Sequence, residues 1–256
     1  MKGKMKARRS MATEPENSST SARAGDAEIG RSLITSVVVY CLLTALQMVV
    51  FFASAGHTEI PRAWFYSGLV LVHSLAGIVV LYKLNPELLS QRTKVRREGS
   101  KVWDEVLMRA TNLTAMLVVP AVAALDIGRF HWSSLGIEFL AVGVVLAIVG
   151  AVLVNWAMVT NPYFEPTVRI QTDRGHRVIT TGPYRFVRHP GYLSGIFWIL
   201  SIPLIVGSLV AFVPAGVYVL LIMTRTWLED KTLLEELAGY RNYAGRVRYR
   251  LFPRIW

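Results

Sequence analysis

Apolar positions in this chain gather in long unbroken runs instead of the spaced stripes of a soluble amphipathic helix. The runs Leu33 to Ala55, Ala63 to Leu84, Leu107 to Leu125 and Leu135 to Val159 each approach or exceed the roughly 20 residues that a helix needs to cross a bilayer core. Four transmembrane helices are therefore predicted. A fifth run, Leu193 to Met223, is too long for one span and short for two, and "VGSL" (Val206 to Leu209) interrupts it between Pro203 and Pro214. That pattern predicts a tight helical hairpin, because membrane helices tolerate proline where neighbours satisfy the freed backbone groups. Its second arm continues through "TRTWLEDKTLLEEL" with no Pro or Gly and should stay helical to about Leu237.

The polar stretches between these runs set the organisation. Residues 1–30, with "TEPENSSTSARAGDAE", hold almost no large apolar side chains and are expected to form a disordered basic and polar tail. Residues 31–160 hold the four predicted spans. Between the second and third spans, "NPELLSQRTKVRREGSKVWDEVL" is amphipathic; it either lies along the membrane surface or forms a solvated basic loop. Residues 161–256 are dense in Arg, Tyr, His, Pro and Glu around the apolar hairpin. Polar groups at a membrane boundary are costly to desolvate and need partners, so chemistry is expected in this last third.

Composition agrees. The 256 residues are 53% hydrophobic and 18% charged, with mean hydropathy +0.40, which is the balance of an integral membrane protein. The net charge of +11 could suggest a nucleic-acid partner, but Lys and Arg fall in alternate loops, and "GHTEIPR" and "DIGRFHWSS" hold one Arg each. By the positive-inside rule the termini and the basic loops face the cytoplasm, and the charge reports topology. Nucleic acid is excluded on that ground. The first span ends in "ASA", like a signal-peptidase site, yet its length favours a retained signal-anchor helix. Cys41 is the only cysteine, so neither an intramolecular disulfide nor a cysteine zinc site can form. His57, His131, His176 and His189 lack ligand spacing, HExxH is absent, and no metal is expected; G-x-G-x-x-G and Walker loops are missing too.

Two places could carry chemistry. Arg225 and Glu229 are four residues apart on one helical face, continued by Thr232, Leu233 and Glu236. Arg225 leaves the apolar run just past Met223, so its guanidinium either snorkels to water or faces a protein cavity. The plain alternative is an exposed ion pair worth a few tenths of a kcal/mol. The second place is "GHRVITTGPYRFVRHPGYLSG", where Gly175 and Gly182-Pro183 mark turns, Val178 and Ile179 suggest a short extended piece, and Pro190 suits a first helical turn. Gly191 and Gly195 leave a small-residue face, and His189 and Tyr192 stand near a helix N-terminus, where polar ligands are favoured. An ordinary basic flank to a membrane helix is the competing reading. His73, beside Ser74 in the second run, reads as a packed, hydrogen-bonded histidine, and Gln47, Asn112 and Asn155 as interhelical contacts.

Together, "GPYRFVRHPGYLSG", the apolar hairpin, "RTWLED" and the ending "GYRNYAGRVRYRLFPRIW" resemble the isoprenylcysteine carboxyl methyltransferase family, within the membrane methyltransferases that include phospholipid N-methyltransferases. The likeness covers roughly His176 to Trp256. It implies an all-α polytopic transmembrane bundle with a C-terminal helical hairpin and a cytoplasmic pocket for S-adenosyl-L-methionine. Carried over by motif, His176, Arg177, Val178, Ile179, Tyr184, His189, Pro190, Gly191, Tyr192 and Glu229 would bind the cofactor, and Arg225 and Glu229 would be catalytic, with Arg225 at the substrate. The family's acidic pair is commonly Glu-Glu, whereas here it is Glu229-Asp230, which leaves the role of Asp230 open. The implied partner is a lipophilic or small-molecule methyl acceptor reached among membrane lipids: an isoprenylcysteine-type carboxylate, a lipid amine or a thiol. The expected location is a multi-pass protein, both termini cytoplasmic, in a bacterial inner membrane. An NADPH-dependent enzyme of the sterol-reductase type and a non-catalytic membrane scaffold are the alternatives.

Overall fold

A computed structural model describes residues 14–94 and 99–256, and helices are the only extended regular elements among them. The elements are α1 (Glu14–Ala55), α2 (Pro61–Leu84), α3 (Pro86–Thr93), α4 (Val102–Leu113), α5 (Val119–Ala124), α6 (Glu138–Thr160), α7 (Pro190–Val206), α8 (Phe212–Glu236) and α9 (Tyr240–Arg246). α4 and α5 are joined by the π-helical turn Thr114–Val118 and followed by another, Leu125–Phe130, making one continuous rod Val102–Phe130. Pro120 lies just beyond the first π turn; its missing N–H and its ring disturb the hydrogen-bond ladder of the preceding turn.

Four helical stretches are long and apolar enough to cross a membrane: Ala27–Ala55, Pro61–Leu84, Val102–Phe130 and Glu138–Thr160. They contain the first three predicted runs and all of the fourth except residues 135–137, which precede the helix. Large apolar side chains remain uncovered along their outer faces, as at Leu42 and Val49 of α1 and Val145 and Val152 of α6. Such a surface suits lipid rather than water, and the architecture is that of a multi-pass membrane protein. The fifth run is the predicted hairpin: α7 and α8 flank residues 207–211, and Gly207 ends α7 at φ 97°, a backbone conformation that favours glycine. At 17 residues, α7 is shorter than the four spans.

Two expectations need correction. Residues 14–30 of the predicted disordered tail are helical, as an extension of α1, and residues 1–13 lie outside the described residues. Extending an existing helix costs far less than nucleating one, and Ser90 and Thr93 of α3 reach Glu28 and Ser32 at 2.7 and 3.1 Å. For the same reason α3 is no free surface helix. Leu88 and Leu89 are buried in the bundle.

Small residues set a close contact between α6 and α7. A Cβ on Gly143 of α6 would lie 2.8 Å from Ile205 Cγ1, and one on Gly150 would lie 3.0 Å from the Ser194 carbonyl oxygen, so α6 lies directly against α7. The main core lies at the end of the bundle where α7 finishes, with Phe51, Tyr66, Val119, Ala147, Ile202 and Ile205. There Arg62 donates to the carbonyls of Ile205, Leu204 and Leu135 at 2.7, 2.8 and 2.7 Å, capping groups that a helix C-terminus leaves unpaired. Buried Asp126 accepts from the Ser133 and Ser208 hydroxyls beside it. The start of α7, the ends of α2, α6 and α8, and α3 and α9 gather at the opposite end.

Candidate functional site

The polar end is organised by one carboxylate. Asp230 on α8 is fully buried and accepts five hydrogen bonds. Oδ1 receives Arg188 Nε at 2.8 Å, Tyr240 Oη at 2.9 Å and His189 Nε2 at 3.2 Å; Oδ2 receives Arg188 Nη2 at 2.7 Å and Arg250 Nε at 2.9 Å. Burial pushes this carboxyl up, but the bonds from His189 and Arg188 outweigh it, and the group is held well below the usual carboxylate range. Arg188 also donates to the carbonyls of Val247 and Arg248, both at 2.9 Å. The loop before α7, the polar half of α8, α9 and the C-terminal tail are thus tied to one side chain.

This arrangement fixes His189, the residue preceding Pro190 at the start of α7. With Nε2 on Asp230, its Nδ1 faces Glu229 Oε1 at 3.7 Å. Glu229 Oε2 accepts a short hydrogen bond from Tyr192 Oη. The rings of His189 and Tyr192 stack at 5.8 Å, and the Arg225 guanidinium carbon lies 5.2 Å from the Tyr192 ring centre. Glu229 keeps 23% of its side chain accessible, while Asp230 beside it keeps none. Adjacent acids on one helix therefore differ in role: Glu229 faces open space and Asp230 faces its own donors.

That space is a cavity of about 930 Å³, and all of His176, Arg177, Val178, Ile179, Tyr184, His189, Pro190, Gly191, Tyr192, Arg225 and Glu229 line it. The His176 ring lies tilted against Tyr163 at 4.5 Å and accepts the Gln171 N–H at 3.3 Å on Nδ1. Burial, helped by the Arg169 charge, lowers it to about 4, so the ring is neutral at pH 7. Arg177 is exposed beside it. Val178 and Ile179 belong to no helix or strand and pack against an aromatic floor of Tyr184, Tyr240 and Tyr243. Burial raises Tyr184, whose hydroxyl accepts from Asn161 Nδ2 at 3.1 Å, so it stays protonated. The small-residue face also closes: a Cβ on Gly191 would meet the Phe164 ring at 2.4 Å, and one on Gly195 the Tyr218 hydroxyl at 2.8 Å.

Arg225 faces the cavity, as one reading of its sequence position allowed, and not open water. It is only 7% exposed, which removes the surface ion pair, and its partner is Asp104 of α4 rather than Glu229. Nε donates to Oδ1 at 2.6 Å, Nη2 to Oδ2 at 3.1 Å and to the Pro166 carbonyl at 2.5 Å. Asp104 Oδ2 also accepts the Val168 N–H at 2.8 Å. Arg225, expected at the substrate, thus has its Nε–Nη2 edge occupied by the protein's own acid; Nη1 makes no hydrogen bond to another described residue. Asp104 was missed by sequence reasoning, as were Arg188, Tyr240 and Arg250. The available signal for Asp104 was electrostatic: a buried arginine at a membrane boundary requires a counter-charge, and "KVWDEVL" places acids at the start of the third span.

Residues 142–235 match the sequence model of the isoprenylcysteine carboxyl methyltransferase (ICMT) family. The family resemblance holds over this segment. It begins within α6, further back than His176, and contains every expected site residue, while Asp104 and the tail after α8 lie outside it. Two rice proteins, from the indica and japonica subspecies of Oryza sativa and each named a probable protein-S-isoprenylcysteine O-methyltransferase, are 41% identical to the chain over 58 residues. That stretch is 22% of this chain and 30% of either relative, so the chain spans under a third of the length of the curated relatives it matches. The solved structure of a eukaryotic intramembrane Ras methyltransferase, ICMT, aligns over 84% of this chain and 81% of its own, with 18% identity and a TM-score of 0.48.

The residues at the ICMT-like site fit the cofactor implied by the resemblance. S-adenosyl-L-methionine is cationic at sulfur, with ribose hydroxyls and a flat base. An accessible carboxylate, a histidine of fixed orientation and a tyrosine-rich wall are complementary to those groups. Among the described residues no cluster suited to a metal ion occurs.

Proposed function

We propose that this protein is a membrane methyltransferase that uses S-adenosyl-L-methionine and modifies a lipophilic or membrane-delivered acceptor. The observation that carries the reading is the position of Glu229. Its accessible carboxylate, with Tyr192 and His189, stands where the polar end of the cavity meets the part that continues between the membrane helices.

When bound, S-adenosyl-L-methionine supplies an electrophilic methyl group, and in-line transfer depends mainly on holding donor and nucleophile together. Glu229 accepts hydrogen bonds from cofactor hydroxyl or amino groups, and its negative charge balances the sulfonium. Tyr184, Val178 and Tyr243 offer the flat wall against which a base packs. Asp230 keeps His189 turned toward Glu229, and Arg225, held by Asp104, keeps Nη1 for the acceptor. Arg-rich segments before α7 and after α8 lie at the site end, and by the positive-inside rule our reading is that this end and both termini face the cytoplasm, as in a bacterial inner membrane. A soluble cofactor then enters from that side and a lipophile from among the helices.

The test combines two measurements on detergent-purified protein. Calorimetry should show binding of S-adenosyl-L-methionine or its demethylated product, and radiolabelled methyl transfer should be found among prenylcysteine, lipid amine and thiol acceptors. Preference for NADPH, or binding of none of these molecules, sinks the reading.

A further inference from the structure

The cavity does not end at Arg225. It continues between α2, α4 and α7 to bilayer depth, where His73, Ser74 and Asn112 line it. His73 and Ser74 occupy the middle of the span Pro61–Leu84. The His73 ring lies on Trp198 of α7 at 4.4 Å, which fixes its plane. His73 is packed as expected, but among the described residues none of the three has a protein hydrogen-bond partner, contrary to the hydrogen bond expected of the histidine and the interhelical contact expected of the asparagine, and none is an inaccessible orphan.

Two hydroxyls in the same bundle behave differently. Ser67, on the same helix as Ser74, donates back to the Ala63 carbonyl at 2.9 Å, and Thr111, beside Asn112, donates to Leu107 at 2.9 Å; Asn155 Nδ2 donates to Ala151 at 2.8 Å, although its Oδ1 is buried without a partner. Such back-bonding is the usual way a hydroxyl or amide is satisfied in a membrane helix. His73, Ser74 and Asn112 turn into the cavity instead. Unpaired polar groups at this depth are costly, and an all-hydrocarbon occupant would leave all three unpaired.

We propose that the bilayer-depth half of the cavity is a binding site for a lipophile carrying hydroxyl or carbonyl groups within its body, with His73, Ser74 and Asn112 as its hydrogen-bonding residues. An imidazole, a hydroxyl and an amide together provide donors and acceptors for such oxygens. A volume of about 930 Å³ lies near the top of the usual range for ligand pockets, leaving room for this occupant beside a cofactor. Naming the occupant as the methyl acceptor rests on the proposed methyltransferase reading; the binding site does not.

The experiment therefore reads binding without methyl transfer. Native mass spectrometry and thermal melting of detergent-purified protein are run with didecyl ketone and with heneicosane, the hydrocarbon of equal length. Half-occupancy by the ketone is expected at a mole fraction about tenfold lower, the effect of one or two hydrogen bonds formed in place of unpaired groups. His73→Phe combined with Asn112→Leu should bring the two probes within about twofold while leaving heneicosane unchanged; His73→Gln alone should retain most of the preference. Asn112→Leu alone, expected to lose part of the preference, serves if the double variant does not fold. Equal occupancy by both probes in the wild type, or an undiminished preference in the variants, overturns the proposal and identifies this region as a water-filled vestibule. Failure to bind S-adenosyl-L-methionine would leave this outcome unaffected, so the two readings fail separately.

Discussion

Arg225 on α8 and Asp104 on α4 form a bidentate pair at 2.6 and 3.1 Å, with Asp104 fully buried and Arg225 nearly so. The pair joins the ICMT-like segment to a helix outside it. It also shapes the electrostatics of the site, because the cation over the Tyr192 ring is already neutralised by a protein acid. An acceptor approaching Arg225 meets one remaining N–H edge rather than an open fork.

Removal of one partner should therefore cost more than removal of both. Asp104→Asn leaves the guanidinium buried without a counter-charge and should destabilise by about 3–5 kcal/mol. Asp104→Leu with Arg225→Met should recover most of that loss, since buried pairs replaced by apolar groups are often neutral. Thermal melts of the single and double variants check this. Arg225→Ala should leave cofactor affinity within about twofold while turnover falls; equal stability of all four proteins would place the pair in water.

Glu229→Gln keeps the shape of the side chain and its contact with Tyr192 while removing the charge. Loss of a charge-assisted contact to a cation is worth about 1.5–3 kcal/mol, so cofactor affinity should fall by about 10- to 100-fold with little change in melting temperature. Calorimetry measures it directly. An unchanged affinity would remove Glu229 from the cofactor site.

Two groups give acid sensitivity of opposite chemical type. His176 is lowered to about 4 by burial and then by Arg169. Its neutral form is favoured by folding, so its contribution is complete above about pH 6.5 and is lost as pH falls toward 4. Asp230 is held far below its ordinary value by His189 and Arg188 against the effect of burial. Its contribution is complete above about pH 4 and is lost only below that. Melting temperatures between pH 8 and pH 3 should fall in two stages. His176→Gln should abolish the upper stage and leave the lower; Asp230→Asn should flatten the lower stage while reducing stability at neutral pH. A wild-type upper stage that survives His176→Gln would assign it to another group.

The sequence made the spans and hairpin legible because each rests on local information: run length, one break at "VGSL", and the absence of helix breakers through "TRTWLEDKTLLEEL". The site was legible as a set of residues and not as a set of bonds. His189, Tyr192 and Glu229 all line one cavity, but Asp230 could not be recognised as the organiser. Its five donors come from residues 188, 189, 240 and 250, and nothing local specifies which acid of an adjacent pair turns inward. Asp104 was hidden for a related reason. It meets Arg225 only because α4 and α8 pack side by side, a pairing that helical periodicity does not encode.

Gly143 tests the packing that positions the start of α7. A side chain there would push into Ile205 and Leu204, since even a Cβ would lie 2.8–2.9 Å from their atoms. Backbone is among those contacts, so neither helix can yield by a rotamer change alone. Gly143→Leu should cost about 1–3 kcal/mol through overpacking. The clash lies at the end of α7 remote from Glu229, so the surviving folded protein should bind S-adenosyl-L-methionine with affinity within about twofold of wild type. Gly216 in α8 is the control, because a Cβ there meets nothing within 4 Å; Gly216→Ala should be neutral or stabilising by up to about 1 kcal/mol through helix propensity. Thermal melting with calorimetry separates the outcomes. A Gly143→Leu protein that melts like wild type would show that α6 and α7 do not approach so closely, and one that melts normally but loses cofactor binding would mean that α7 transmits a shift along its length to His189.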